Sequence, residues 1–218
     1  NLYDNWGEYE KATDFYLKSL DLQKRLNNPM GQAYCFNGLG NVFKALGQYE
    51  KASEYYNESL ALFNQIKDRE GESRAIYNVA TIHSQQGDLG SAISKMKIAA
   101  GLMKSIGAPH DGMLAAIGDL YLDNGDLDEA ATYIKESNFP PSLARYHLMM
   151  GHYDDAKRYY DQGRQSAEDN RNADYLFAAY TGLGLTYEGL GDNAVAADYF
   201  RKAIECVEEL RSGLSLSA

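Results

Sequence analysis

Few residues in this 218-residue chain have the type and spacing to do chemistry, and their arrangement argues against most of it. Of the four histidines, His83, His110, His147 and His152, only the last two are close, five apart across Gly151. A helical zinc pair needs its ligands on one face, so no metal motif forms, and neither metal nor cofactor is expected. The carboxylate pairs Asp154-Asp155, Asp128-Glu129 and Glu208-Glu209 are adjacent in sequence. Neighbours on a helix point in different directions, so these pairs suit first helical turns or solvated faces, and not general acid–base work. Cys35 and Cys206 stand far apart with no histidine nearby, which argues against a nucleophile and against a disulfide framework. Such cysteines suit a reducing compartment, with cytoplasm the expected location. Gly182-Leu183-Gly184 follows no strand pattern and so makes no nucleotide loop, and Asn57-Glu58-Ser59 matches a glycosylation sequon inside a helical stretch. No catalytic residue is assigned, and no enzymatic activity is expected.

The chemistry that remains is recognition. Tyr34, Asn37, Asn41 and Lys44 stand at three- and four-residue steps, as do Arg74, Tyr77, Asn78, Thr81 and Gln85. Each set therefore shares one face of a helix. An asparagine offers both a donor and an acceptor, which match the N–H and C=O of an extended peptide whatever its side chains. Lys44 and Arg74 suit an acidic side chain or terminal carboxylate, Arg74 through two parallel hydrogen bonds. The same face changes character later, to Asp119 and Asp123, then Arg145, then Glu188. The competing reading of each residue is a solvated polar position on an exposed helix.

Charge narrows the partner. Lys and Arg number 21 against 31 Asp and Glu, a net −10 that repels a phosphate backbone, so nucleic acid is not expected. The longest basic cluster, Lys95, Lys97 and Lys104, is spread along a helix. No apolar run approaches the roughly 20 residues of a membrane helix, and no basic-then-apolar leader opens the sequence. Membrane insertion is not expected; a protein or peptide is.

The elements that position these residues recur. Gly-x-x-x-x-Ala pairs occur at Gly7 and Ala12, Gly47 and Ala52, Gly87 and Ala92, Gly125 and Ala130, Gly151 and Ala156, Gly191 and Ala196. Successive alanines are 40, 40, 38, 26 and 40 residues apart, the periodicity of a solenoid array. Four residues before each glycine stand Tyr3, Phe43, His83, Tyr121, His147 and Tyr187, and nine after it Tyr16, Tyr56, Met96, Ile134, Tyr160 and Phe200. Small residues, Gly40, Ala80, Gly118, Ala144 and Gly184, fall seven before the glycine. A small side chain lets a neighbouring helix approach, and the large group fills the space beside it. The glycine ends the first helix of each unit. Breaker clusters Asn27-Asn28-Pro29, Asp68-Arg69-Glu70-Gly71, Gly107-Ala108-Pro109 and Asn138-Phe139-Pro140-Pro141 separate the units, and strand signals are absent.

The pattern Leu39-Gly40-x-x-Phe43, then Gly47-x-Tyr49-x-x-Ala52-x-x-x-Tyr56-x-x-Ser59, resembles the tetratricopeptide repeat (TPR) family over nearly the whole chain. The resemblance implies an all-α, right-handed superhelical solenoid of about six helix-turn-helix units, the first incomplete. It also implies a concave groove, lined by the first helix of each unit, in which a scaffold protein binds its partner. The 40-residue unit is longer than the usual 34 or so, and the stretch from Gly40 to Arg74 is similar to the long-helix repeats of Pins-type adaptors and bacterial TPR regulatory proteins. The ending Glu208-Glu209-Leu210-Arg211-Ser212-Gly213-Leu214 is similar to the helix that leads into a CHAT protease domain in some bacterial repeat proteins. A single array over residues 1–218 is expected, with repeats at about 1–31, 32–71, 72–110, 111–137, 138–170 and 171–214.

Only six residues precede Gly7, so the first unit lacks most of its leading helix and the chain reads as a fragment of a longer protein. Exposed apolar end faces then offer end-to-end self-association as a further mode. An alternative role is the sensor arm of a larger enzyme, such as a CHAT-type protease, or of a transcriptional regulator. The 26-residue step between Ala130 and Ala156 requires two short helices around Pro140 and Pro141, either as a tolerated irregularity or as a pocket or hinge.

Overall fold

The structure is a computed structural model; it describes the backbone of residues 2–216 and the side chains of residues 8–208. Eleven helices and no strand occur among the described residues: α1 (Leu2–Arg25), α2 (Pro29–Ala45), α3 (Tyr49–Ile66), α4 (Arg69–Gln85), α5 (Leu89–Ser105), α6 (Asp111–Asn124), α7 (Leu127–Ser137), α8 (Pro140–Met149), α9 (Tyr153–Asp169), α10 (Ala173–Gly189) and α11 (Asn193–Leu216). By internal contacts the chain divides into two compact units, Asn1–Leu120 and Tyr121–Ala218.

Helix ends are fixed by local chemistry. Gly47, Gly87, Gly125, Gly151 and Gly191 have φ between +70° and +85°, a conformation glycine enters without steric cost. At Gly47 the reversal is closed by the Gln48 amide donating to the Phe43 carbonyl at 2.9 Å, the six-to-one bond of a helix C-cap. Four of the second helices end differently, with Asn27, Lys67, Asn138 and Arg171 in the left-handed region, while α5 ends on Gly107 at φ +68°. Gly7 is an exception to its own column: α1 runs through it as continuous helix, and no turn forms there. Its Tyr16 packs on Gly38 of α2, so α1 stands in the place of a unit's second helix. Tyr3 and the stretch Glu209–Leu214 lie outside the residues whose side chains are described.

Two of the breaker clusters turn out to hold helix caps. The Asn28 side chain accepts from the Gly31 amide at 3.1 Å and Asp68 from Gly71 at 3.0 Å; outside the clusters, Asn172 accepts from Tyr175 at 3.1 Å. Each satisfies an amide that the first turn leaves unpaired. Pro29 and the Pro140-Pro141 pair then occupy first-turn positions, where the missing N–H costs nothing. Phe139, ahead of them, is extended at φ −86°, ψ 115°, as a residue before proline must be.

Large-against-small packing holds the hairpins together. A Cβ built on Gly40 would lie 2.5 Å from the Tyr56 ring, and one on Gly184 2.5 Å from Phe200. A second set joins successive units: Gly38 receives Tyr16, Gly71 receives Phe63, and Gly182 receives Tyr160. Tyr56 and Phe63 are fully buried, Tyr56 with Ala52, Val79 and Ile82, Phe63 with Ala33 and Ala75. In the second unit Leu122, Ala130, Ile134 and Leu143 form the corresponding core. The short step is built as its spacing demands: α7 has 11 residues and α8 has 10, against 17 in α9 and α10.

Candidate functional site

In the first unit, α2 and α4 present their polar faces to one another. The Asn78 Nδ2 donates to Asn37 Oδ1 at 2.9 Å, and Lys44 Nζ to Thr81 Oγ1 at 3.4 Å. The Thr81 hydroxyl in turn donates to the Asn78 carbonyl at 2.7 Å. Four of the expected residues thus form one linked row. Asn41 stands one turn after Asn37 on α2, its Oδ1 accepting from the hydroxyl of Tyr56 on α3 at 2.7 Å. Burial pushes the Tyr56 phenol well above its ordinary range, so this hydroxyl stays a donor. Burial likewise lowers the pKa of the Lys44 ammonium.

These bonds fix the chemistry of the row. Asn37 is buried and Asn41 exposed, yet each has an oxygen already committed as acceptor. Each keeps its N–H₂ group whole and one lone pair on its oxygen, and Lys44 adds further donors. The sequence shows this face as mixed donor and acceptor; the folded arrangement makes it donor-rich.

The other expected residues are placed less centrally. Tyr34 is exposed, its ring edge-on to Phe63 with centroids 5.3 Å apart. Arg74 is exposed and paired within its own helix to Glu70 at 2.8 Å, and exposed ion pairs of this kind are weak. Tyr77 is half-buried, and Gln85 is exposed on the last turn of α4. Asp119 lies half-buried on α6. In the second unit Arg145, on α8, makes an ion pair with Asp123, so it joins two helices. Sequence reasoning assigned Tyr56 to packing alone; tyrosine rather than phenylalanine in that column is the signal that its hydroxyl has a partner. Glu70 was also missed, although its position one helical turn before Arg74 marks it.

The groups weighed for other chemistry have structural surroundings. The His147 ring stacks on Tyr159, centroids 5.5 Å apart, with Asp155 3.9 Å from its Nδ1. His83 lies 3.3 Å from Asp88, which caps α5. Asp154 and Asp155 occupy the first turn of α9, Asp128 and Glu129 that of α7. Cys35 and Cys206 are buried and form no disulfide. Among the described residues no group of three or more His, Cys, Asp or Glu is placed to hold a metal ion, and no helix is long and apolar enough to cross a membrane.

A search of the curated proteins found no match. The solved structure of BtubC (BKLC) from P. vanneervenii is similar over 93% of this chain and 92% of its own, at 14% identity and a TM-score of 0.72. The apo form of RapI is similar over 96% and 81%, at 11% identity and a TM-score of 0.73. A Rap protein complexed with Competence and Sporulation Factor is similar over 94% and 60%, at 14% identity and a TM-score of 0.67. At such identities the likeness is one of fold. Family models for the tetratricopeptide repeat match residues 6–65, 30–105 and 142–209, and a second such model matches 112–137. With helical hairpins throughout and those matches spanning most of its length, the chain belongs to the tetratricopeptide repeat family.

Proposed function

We propose that this chain is an interaction scaffold, without catalysis of its own, that binds an extended segment of a partner protein along α2 and α4. One observation carries the reading. The Asn37 and Asn41 oxygens accept from Asn78 and Tyr56, which holds their amide donors in place beside the Lys44 ammonium before any ligand arrives. Such a row complements backbone carbonyls, and Lys44 and Arg74 add positive charge for an acidic side chain or carboxylate. Fixing donors in advance lowers the ordering cost of association. The Rap protein solved with Competence and Sporulation Factor supports the reading as a case in which this fold receives a partner. The chain's acidic balance, at net −10, favours a protein over nucleic acid, and a reducing, cytoplasmic setting is consistent with two cysteines in no disulfide.

The test is affinity capture from lysate of the source organism with the parent chain and the Asn41→Ala, Arg74→Ala, Asn78→Ala triple variant, both verified helical by circular dichroism. A partner retained by the parent and lost by the variant supports the donor row. Equal capture by both, or none by either, moves the binding surface elsewhere.

A further inference from the structure

A cavity in the unit Tyr121–Ala218 shares no residue with the donor row. It arises where the repeat is shortened. At 1.5 Å per residue, α8 spans about 15 Å and α9 about 25 Å, so the antiparallel α8 leaves the C-terminal part of α9 uncovered. The residues there are small. Twelve and sixteen places after the turn glycine of the second repeat stand Ser59 and Phe63; the same places after Gly151 hold Gly163 and Ala167. Phe63 is fully buried and fills its site. At the equivalent site a shorter helix and an alanine both withdraw volume.

What remains is a cavity of about 270 Å³. Its floor is α9 at Gly163, where an added Cβ would meet nothing within 4 Å. Pro140 and Pro141 wall it on the α8 side, and Tyr175, at the start of α10, on the other. Phe139 and Tyr175 are 36% and 51% exposed, so an occupant would cover aromatic surface now in water. Gln162 lines the rim and makes no side-chain hydrogen bond among the described residues. Asn170 spends its Nδ2 on the Ser166 carbonyl at 2.8 Å, which leaves its Oδ1 as an acceptor.

None of the lining residues is charged, in a chain whose residues are 24% charged. That excludes an ionic ligand, for which no counter-charge is present. A dry cavity of about 150 Å³ accepts one benzene ring, so this volume takes two fused rings. Proline and aromatic walls favour a planar ring system, and the amide rim favours one with a polar edge. We propose that the cavity is a receptor for a tryptophan side chain of a partner polypeptide, with the indole between Pro141 and Tyr175 and the flanking peptide bonds at Gln162 and Asn170.

The probe is N-acetyl-tryptophanamide, titrated into the full chain and followed by amide resonances. Saturable shifts confined to residues 139–142 and 162–175 are expected, with N-acetyl-leucinamide binding roughly tenfold more weakly, or about 1.4 kcal/mol. Gly163→Leu fills the floor and, by replacing glycine within a helix, does not threaten folding; it should weaken the probe by tenfold or more. Tyr175→Ala, at an exposed position, should weaken it severalfold. Free indole binding as tightly as the amide would remove the peptide contacts from the proposal. Absence of saturable binding, undiminished binding by Gly163→Leu, or equal affinity for the leucine probe would overturn it.

Discussion

Two glycines in the first unit should respond to the same substitution with opposite sign. Gly40, within α2, and Gly101, within α5, are both helical, and alanine at either gains about 1 kcal/mol of helix propensity. At Gly101 a Cβ meets nothing within 4 Å, so Gly101→Ala should keep that gain. At Gly40 the Cβ would fall 2.5 Å from two atoms of the Tyr56 ring and 3.0 Å from a third. That ring cannot withdraw: it is fully buried, packed on Val79 and Ile82, and tied through its hydroxyl to Asn41. Overpacking a rigid site costs about 1–3 kcal/mol, and two contacts this short belong near the upper end. Gly40→Ala should therefore lose about 1–2 kcal/mol net, leaving the two variants about 2–3 kcal/mol apart. Urea unfolding monitored by far-ultraviolet circular dichroism measures the difference. Tyr56→Leu in the Gly40→Ala background removes the ring and should recover part of the loss relative to the sum of the single changes. A neutral or stabilising Gly40→Ala would refute the interlocking account, as would additivity in the double variant.

Other expectations follow from single contacts. Asp68→Ala and Asn28→Ala each remove a helix cap and should cost about 1 kcal/mol in the same assay. Burial lowers the pKa of His147 below its ordinary 6.5, so the unfolded chain binds this proton more readily. Stability from this group is complete above 6.5 and declines as pH falls through that value toward the lower folded pKa. His147→Tyr, which adopts the residue of Tyr121 and Tyr187 in the same column, should flatten the melting temperature over that interval; an unchanged slope would refute the assignment. Removing the exposed Arg74–Glu70 pair by Glu70→Gln should change stability by less than about 1 kcal/mol and free Arg74 for a ligand, strengthening capture of an acidic partner.

The scaffold is legible in the sequence because its constraints are steric and repeat. A turn that needs positive φ selects glycine, and a ring needs a missing Cβ opposite, so Gly47, Gly40 and Tyr56 appear in register wherever the geometry recurs. Helix starts were harder to read. Asn28 and Asp68 belong to residue types that break helices as readily as they cap them, and only the observed bonds to Gly31 and Gly71 decide between the two. Gly7 shows the converse, a residue that matches its column while α1 runs through it as helix. The donor row was legible as a set of positions but not as a network, because contacts such as Asn37 to Asn78 join residues 41 apart and leave no local trace. The cavity at Gly163 was foreshadowed by the 26-residue step, while its lining required knowing which helix was left uncovered.

The rings seated over bare backbone also determine how the array deforms. Sliding one helix along another by a single residue, about 1.5 Å, would carry Tyr56 off Gly40 or Phe200 off Gly184 and onto a neighbouring residue that has a Cβ. Each ring therefore acts as a detent, and hairpins α2–α3 and α10–α11 resist shear. The hairpin α4–α5 has Ala80 and the slender Met96 at the same places, a shallower catch that yields sooner. Under load, strain in the first unit collects between α4 and α5, so the compliance of the scaffold is written by where glycine faces an aromatic ring.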